Sequence, residues 1–341
     1  MALALVLLGL LAVTWLVLIG HSFMRTWISL GTSANRMAGP PLMEVVLDDA
    51  GADAKIAVVD VEGILWTSLS EAGGHNLSEM LRRQLKRARE DKDVKAVILR
   101  LDTPGGEVLA ADEMSRAVAE FQEKSGKPVV ASMGSLSASG GYYVAVPCRW
   151  IVAHELTITG SIGVVMHGYN YRGLMNKLGL RPEVYKSGKF KDMMSGDRAD
   201  EEIPPEERQM LQALITEAYT RFQEVIAKGR QQANQKNQGA GRKLADRWLD
   251  YADGRVLSGR QAYEQGFVDE LGSFQTAVQR AKKLTHLSRA TLIQYQQPFN
   301  LASLFRLFAK SDARTVKVDV GVDLPRLEVG RLYFLFEPGL R

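Results

Sequence analysis

The chain has 341 residues, 46% of them hydrophobic and 24% charged, with a formal net charge of +4. That length suits one large domain or two smaller ones, and no segment joins a dense basic patch to interleaved aromatics, which excludes nucleic acid as a partner. The single cysteine, Cys148, excludes an intrachain disulfide framework and a thiolate-rich metal cluster. His21, His75, His154, His167 and His286 show no short metal-ligand spacing.

Met1 to Gly20 is apolar apart from Thr14. Twenty residues at about 1.5 Å rise cover roughly 30 Å, enough to cross a bilayer. No basic stretch precedes this run and no Ala-x-Ala site closes it, so it reads as an uncleaved anchor and not as a signal peptide. Arg25 and Arg36 follow it, and a positive-inside count on those two charges would place the large domain in the cytoplasm. Residues 21–50 read as a linker. Ile56 to Val61 and Val94 to Leu101 are apolar, strand-like runs, and Leu77 to Glu90 has apolar residues near helical spacing.

A helix is expected over Ala110 to Lys124 and a strand over Pro128 to Ser132. Ser132 to Tyr143, rich in hydroxyls and glycines, then reads as a tight turn and the start of a helix. A short strand at Ile151 to Ala153 precedes a glycine-marked turn at Thr159 to Val165. Helices are expected over Tyr171 to Leu178, Glu206 to about Gln231 and Leu244 to Tyr251, followed by a helix–turn–strand unit between Gly254 and Gly272. Residues 289–341 lack one period and read as extended or peripheral. The alternation predicts a mostly parallel, helix-covered α/β core.

In such a sheet, consecutive strand ends open on one edge, where ligands bind. The corner Asp102-Thr103-Pro104-Gly105-Gly106 and the residue Ser139 each follow a strand. The Gly105, Gly106 and Gly140 amides are therefore candidate donors to an oxyanion formed when Ser139 attacks a carbonyl. A serine nucleophile also needs a proton acceptor. His154 and His167 are available, as are Lys186, Lys189 and Lys191. A lysine serves only if its ordinary pKa of about 10.4 is lowered by burial or nearby positive charge. The residues alone do not select among them.

Four motifs in order, Asp-Thr-Pro-Gly-Gly, Ala-Ser-Gly-Gly-Tyr-Tyr, Thr-Gly-Ser-Ile-Gly-Val-Val and Lys-Ser-Gly-x-x-Lys-Asp, make the chain resemble the signal peptide peptidase A family. These are membrane-associated Ser-Lys proteases of peptidase family S49. The resemblance spans residues 55 to 285. It implies a crotonase/ClpP-like α/β fold behind an N-terminal transmembrane helix, with an anchor at 1–22, a linker at 23–54, the protease domain at 55–285 and a C-terminal extension at 286–341.

Residue by residue, Ser139 matches the family's nucleophile, Lys191 its general base and Ser161 the serine that orients the lysine amine. Gly106, with Gly105 beside it, lies in the loop expected to supply an oxyanion amide. Many relatives carry Asn-Ser-Pro where this chain has Asp102-Thr103-Pro104. The resemblance also implies no cofactor, hydrophobic signal peptides as substrates and membrane lipid around the anchor. It further implies a homo-oligomer, an octamer, on the extracytoplasmic side of a bacterial inner membrane. A quality-control protease for membrane proteins and an inactive scaffold are the alternative functions.

Overall fold

Runs of β-branched and aliphatic residues without alternation belong to strands buried on both faces, and here they form the centre of a mostly parallel sheet. In this computed structural model, residues 42–67, 76–297 and 332–336 are described. The expected anchor at residues 1–22 lies outside them. Among the described residues no helix is long and apolar enough to cross a membrane. The chain divides into two compact units, Met1–Glu44 with Gln296–Val316, and Val45–Tyr295 with Lys317–Arg341. Every candidate site residue belongs to the second.

The strands are β1 (Met43–Asp48), β2 (Lys55–Glu62), β3 (Val94–Thr103), β4 (Gly105–Glu107), β5 (Val129–Ser137), β6 (Trp150–Ala153), β7 (Ile158–Gly160), β8 (Val256–Ser258), β9 (Glu270–Leu271), β10 (Thr291–Gln296) and β11 (Tyr333–Leu335). The main sheet runs β1-β10-β2-β3-β5-β6-β9, and β7 joins it through β5 and pairs with β8. β10, β2, β3, β5, β6 and β9 pair in parallel, as the strand–helix alternation predicts. A separate antiparallel pair joins β11 to β4.

Helix α1 (Leu77–Glu90) occupies the predicted span. Asn76 caps it by accepting the Glu79 amide at 3.1 Å, and Leu81, Leu85 and Ala88 make its buried face. Next come α2 (Val108–Ser125), α3 (Gly140–Ala145), α4 (Arg172–Lys177), α5 (Pro205–Lys236), α6 (Gly259–Glu264) and α7 (Phe274–Leu284). Ile56, Ala96, Ile98, Val130 and Val152 form one face of the sheet against Ala277, Val278 and Ala281 of α7. Val97, Leu99 and Leu101 alternate to the other face of β3 and are fully buried as well. Each such aliphatic side chain contributes about 1.5–3 kcal/mol by leaving water.

Two local expectations need correction. β5 does not end at Ser132; it continues through Ser137, where Leu136 pairs with Ile158 of β7 and Ser137 with Thr103 of β3. Ser137 Oγ also donates to Leu101 O at 3.3 Å. The range expected as linker contains β1. The range read as extended or peripheral is extended where it is described: it contributes β10, seated between β1 and β2, and β11, which lies at the candidate site.

Candidate active site

Parallel strands β3 and β5 end side by side, and the chain turns sharply at both ends. After β3, the Thr103 hydroxyl accepts the Gly105 amide at 3.0 Å and fixes the corner. Gly105 has φ +97°, a conformation L side chains avoid, and a Cβ on Gly106 would collide with the Leu65 backbone. After β5, Ala138 N–H donates to Thr103 O at 3.2 Å and Ser139 N–H to Gly160 O at 2.8 Å. Helix α3 then begins at Gly140.

These turns bring the predicted glycines together. The position of a Gly105 Cβ lies 2.6 Å from Gly140 N, and that of a Gly140 Cβ lies 3.2 Å from Gly106 N. Ser139, immediately before Gly140, has φ 53°, ψ −114°, outside the usual basins for a residue with a side chain. Such a conformation costs on the order of 1–3 kcal/mol and is found where surrounding structure enforces it. Ser139 is 1% exposed, and its Oγ has no hydrogen-bond partner among the described residues. An unmade bond of this kind costs about 1–3 kcal/mol more. Strain and an unpaired hydroxyl thus coincide on one residue.

Ser161 follows β7 and also has a positive φ, 48°. Its amide donates to Arg255 O at 2.7 Å. Arg255 in turn grips Asp253 through Nε at 2.8 Å and Nη2 at 2.7 Å. The Arg255 guanidinium holds the Asp253 carboxyl at about 2, well below its ordinary value. Sequence spacing carried no sign of Arg255 in this role, because it meets Ser161 only through the β7–β8 pairing.

The three lysines differ. Lys186 is bound to Asp192, at 2.8 and 2.9 Å to its two oxygens, and holds that carboxyl below its ordinary range. Lys189 approaches Glu206 at 3.6 Å. Lys191 is exposed and has no ion pair among the described residues. The segment after it is anchored by Arg198, which bonds Glu207 at 2.7 Å and the Asp192 carbonyl at 3.2 Å. Because Ser139 Oγ has no partner, it is not hydrogen-bonded to Lys191 within this chain. Of the candidate histidines, His154 is exposed at the end of β6 and its Nδ1 accepts the Leu156 amide at 3.2 Å. His167 is partly buried in the segment after Ser161.

Comparison with known proteins places the chain in a family. The model of "Peptidase family S49" matches residues 121–288, a range that includes Ser139, Ser161 and Lys191. The "Putative signal peptide peptidase SppA" of Enterococcus faecium is 36% identical over 259 residues, covering 75% of this chain and 71% of that protein. The "Putative protease slr0021" of Synechocystis is 39% identical over 233 residues, covering 68% and 75%. The chloroplastic serine protease SPPA of Arabidopsis thaliana is 33% identical over 254 residues, covering 73% of this chain and 35% of that longer protein. With two relatives matched over more than two thirds of their length, the chain belongs to peptidase family S49, the signal peptide peptidase A family of serine proteases.

Proposed function

We propose that this chain is an endopeptidase that hydrolyses hydrophobic peptides, chiefly released signal peptides, with Ser139 as nucleophile and Lys191 as general base. Its fold is of the ClpP/crotonase type, and residues 1–22 anchor it in a bacterial inner membrane with the protease domain on the extracytoplasmic side. The observation that carries the reading is Ser139 itself, a strained, buried hydroxyl without a partner among the described residues, at the turn where Gly106 and Gly140 meet.

Neutral Lys191 takes the Ser139 proton as Oγ attacks the substrate carbonyl, and the resulting ammonium donates that proton to the leaving amine. The Gly106 and Gly140 amides, with Gly105 shaping the corner, hold the oxyanion, and water releases the acyl-enzyme. Ser161 orients the lysine amine. Lys186 is the weaker candidate for the base because its ammonium is engaged by both oxygens of Asp192. Lys191 is exposed and Ser139 buried in one chain, so the pair is completed between neighbouring subunits of a homo-oligomer, an octamer by family likeness.

The test is hydrolysis of free signal peptides by the purified oligomer, with products mapped by mass spectrometry. Ser139→Ala abolishes cleavage, and Lys191→Ala lowers it by at least about 10²-fold, the lower range for an acid–base group. Lys186→Met retains it. Mixed oligomers of Ser139→Ala and Lys191→Ala chains regain part of the activity if the pair forms across subunits. An active Ser139→Ala protein sinks the reading, and mixed oligomers as inert as their parents sink the cross-subunit pair.

A further inference from the structure

Strands β3 and β5 keep one register from Val97 opposite Val129 to Leu101 opposite Met133, and the next pair is Thr103 with Ser137. Gly134, Ser135 and Leu136 therefore face the single residue Asp102, and β5 bulges there. An unbroken register would set Ser135 opposite Thr103 and carry Ser139 two residues, roughly 7 Å, further along the strand. The bulge takes up that length. Ser139 then lies two residues past the last pair on β5, as Gly105 does on β3, and the two turns meet. Their fit is close, since a Cβ on Gly141 would stand 2.7 Å from Thr103 Cγ2. Bulges beside active sites commonly re-aim a side chain in this way.

Two side chains hold the bulge. From β3, Asp102 Oδ1 accepts the Leu136 N–H at 3.1 Å. The same carboxyl lies over Gly134, where a Cβ would stand 2.9 Å from Oδ2 and push it aside. From the other side, the Thr157 hydroxyl donates to Gly134 O at 2.8 Å and accepts the His154 amide at 3.1 Å. Thr157 is buried, whereas Asp102 is exposed and has no ion pair among the described residues. The Asp102 carboxyl therefore fills no core and balances no charge; its contacts are with the bulge.

We propose that Asp102 is a positioning residue for Ser139: its carboxyl clamps the β5 bulge and so sets the register at which the nucleophile meets the Gly105–Gly106 corner. This inference rests on Ser139 being the nucleophile. What the clamp requires is an acceptor at the place of Oδ1, not a charge. An amide oxygen there holds the Leu136 N–H as well, and a side chain without an acceptor lets the bulge, and Ser139 with it, shift along the strand.

The experiment is peptide hydrolysis by the full-length oligomer, with kcat expressed per site titrated by a fluorophosphonate so that unfolded protein does not count. Asp102→Ala lowers kcat by about tenfold, for the loss of one hydrogen bond to a charged group, with KM little changed. Asp102→Asn keeps the acceptor and restores kcat to near the parent value, which a general loss of stability would not explain. Gly134→Ala, whose Cβ displaces the carboxyl, repeats the fall with Asp102 in place, and it decides the matter if Asp102→Ala fails to assemble. A parent-like kcat in whichever of these two variants assembles overturns the clamp and leaves the nucleophile standing, as does an Asp102→Asn protein no faster than Asp102→Ala. Equal labelling of the parent and Ser139→Ala overturns the nucleophile, and the clamp with it.

Discussion

The Ser139 amide donates to the Gly160 carbonyl at 2.8 Å, so the turn bearing the proposed nucleophile is tied to the turn bearing Ser161. Both serines hold positive φ, 53° and 48°. The backbone of each turn therefore fixes the other, independently of either hydroxyl. Ser161→Ala should leave this geometry intact and remove only the hydroxyl proposed to aim the lysine. The expected result is a fall in kcat of roughly tenfold to a hundredfold, less than the loss of the acid–base group itself, with KM little changed. A parent-like kcat would remove Ser161 from the reaction.

Gly105 and Gly126 make a matched pair of tests. Both have positive φ, +97° and +71°, but a Cβ has open space at Gly126 and meets Gly140 N at 2.6 Å at Gly105. Gly126→Ala should cost about 1–2 kcal/mol of stability, the strain of a left-handed residue, and keep peptidase activity. Gly105→Ala should cost at least as much and abolish activity, because the added methyl displaces the start of α3. Urea unfolding and peptide hydrolysis on the same preparations separate the two effects.

A pH-dependent difference is expected at Asp253. Its carboxyl, held at about 2 by Arg255, is depressed from its ordinary value. The pair's contribution is therefore fully present above the unfolded value of about 3.9 and is lost as pH falls towards 2. Both side chains are half exposed, at 50% and 49%, so the contribution stays below about 1 kcal/mol. Asp253→Asn should match the parent's stability near pH 2 and be slightly less stable at neutral pH. It should also lose activity a few-fold at neutral pH, on the order of what 1 kcal/mol supplies, since Arg255 carries the carbonyl that holds Ser161. Stability curves that fail to converge in acid would contradict this.

Away from the site, Arg230 of α5 is paired with Asp269, each side chain 1% exposed. Asp269 also accepts the Ile151 amide at 2.8 Å and the Arg242 amide at 3.0 Å. Arg230→Met leaves the carboxylate buried without its cation and should destabilise the protein by about 3–5 kcal/mol. Thermal unfolding at neutral pH measures it, and a change below about 1 kcal/mol would show that the pair is dispensable.

Much of the core was legible because its signals are local. The apolar runs at Ile56–Val61 and Val94–Leu101 and the spacing from Leu77 to Glu90 each declare their own structure. The meeting of Gly105, Gly106 and Gly140 at Ser139 followed from parallel strands opening on one edge. What escaped depends on partners distant in the chain. The hydroxyl-rich stretch from Ser132 to Ser137 reads as a turn until Leu101 O is there to accept from Ser137. Arg255 reaches Ser161, and Phe334 reaches Gly106, only through pairings that no spacing encodes.

The seat of β10 has a consequence for how the protein is made. Thr291 pairs with Lys55 and Gln294 with Val58, and the strand lies between β1 and β2. During synthesis, β2 therefore waits for one of its two neighbours until nearly the whole protease unit has left the ribosome. Until then it is a bare, apolar edge of the kind that recruits other chains. A nascent or truncated chain that stops before Thr291 should be insoluble even though Ser139, Ser161 and Lys191 are already present.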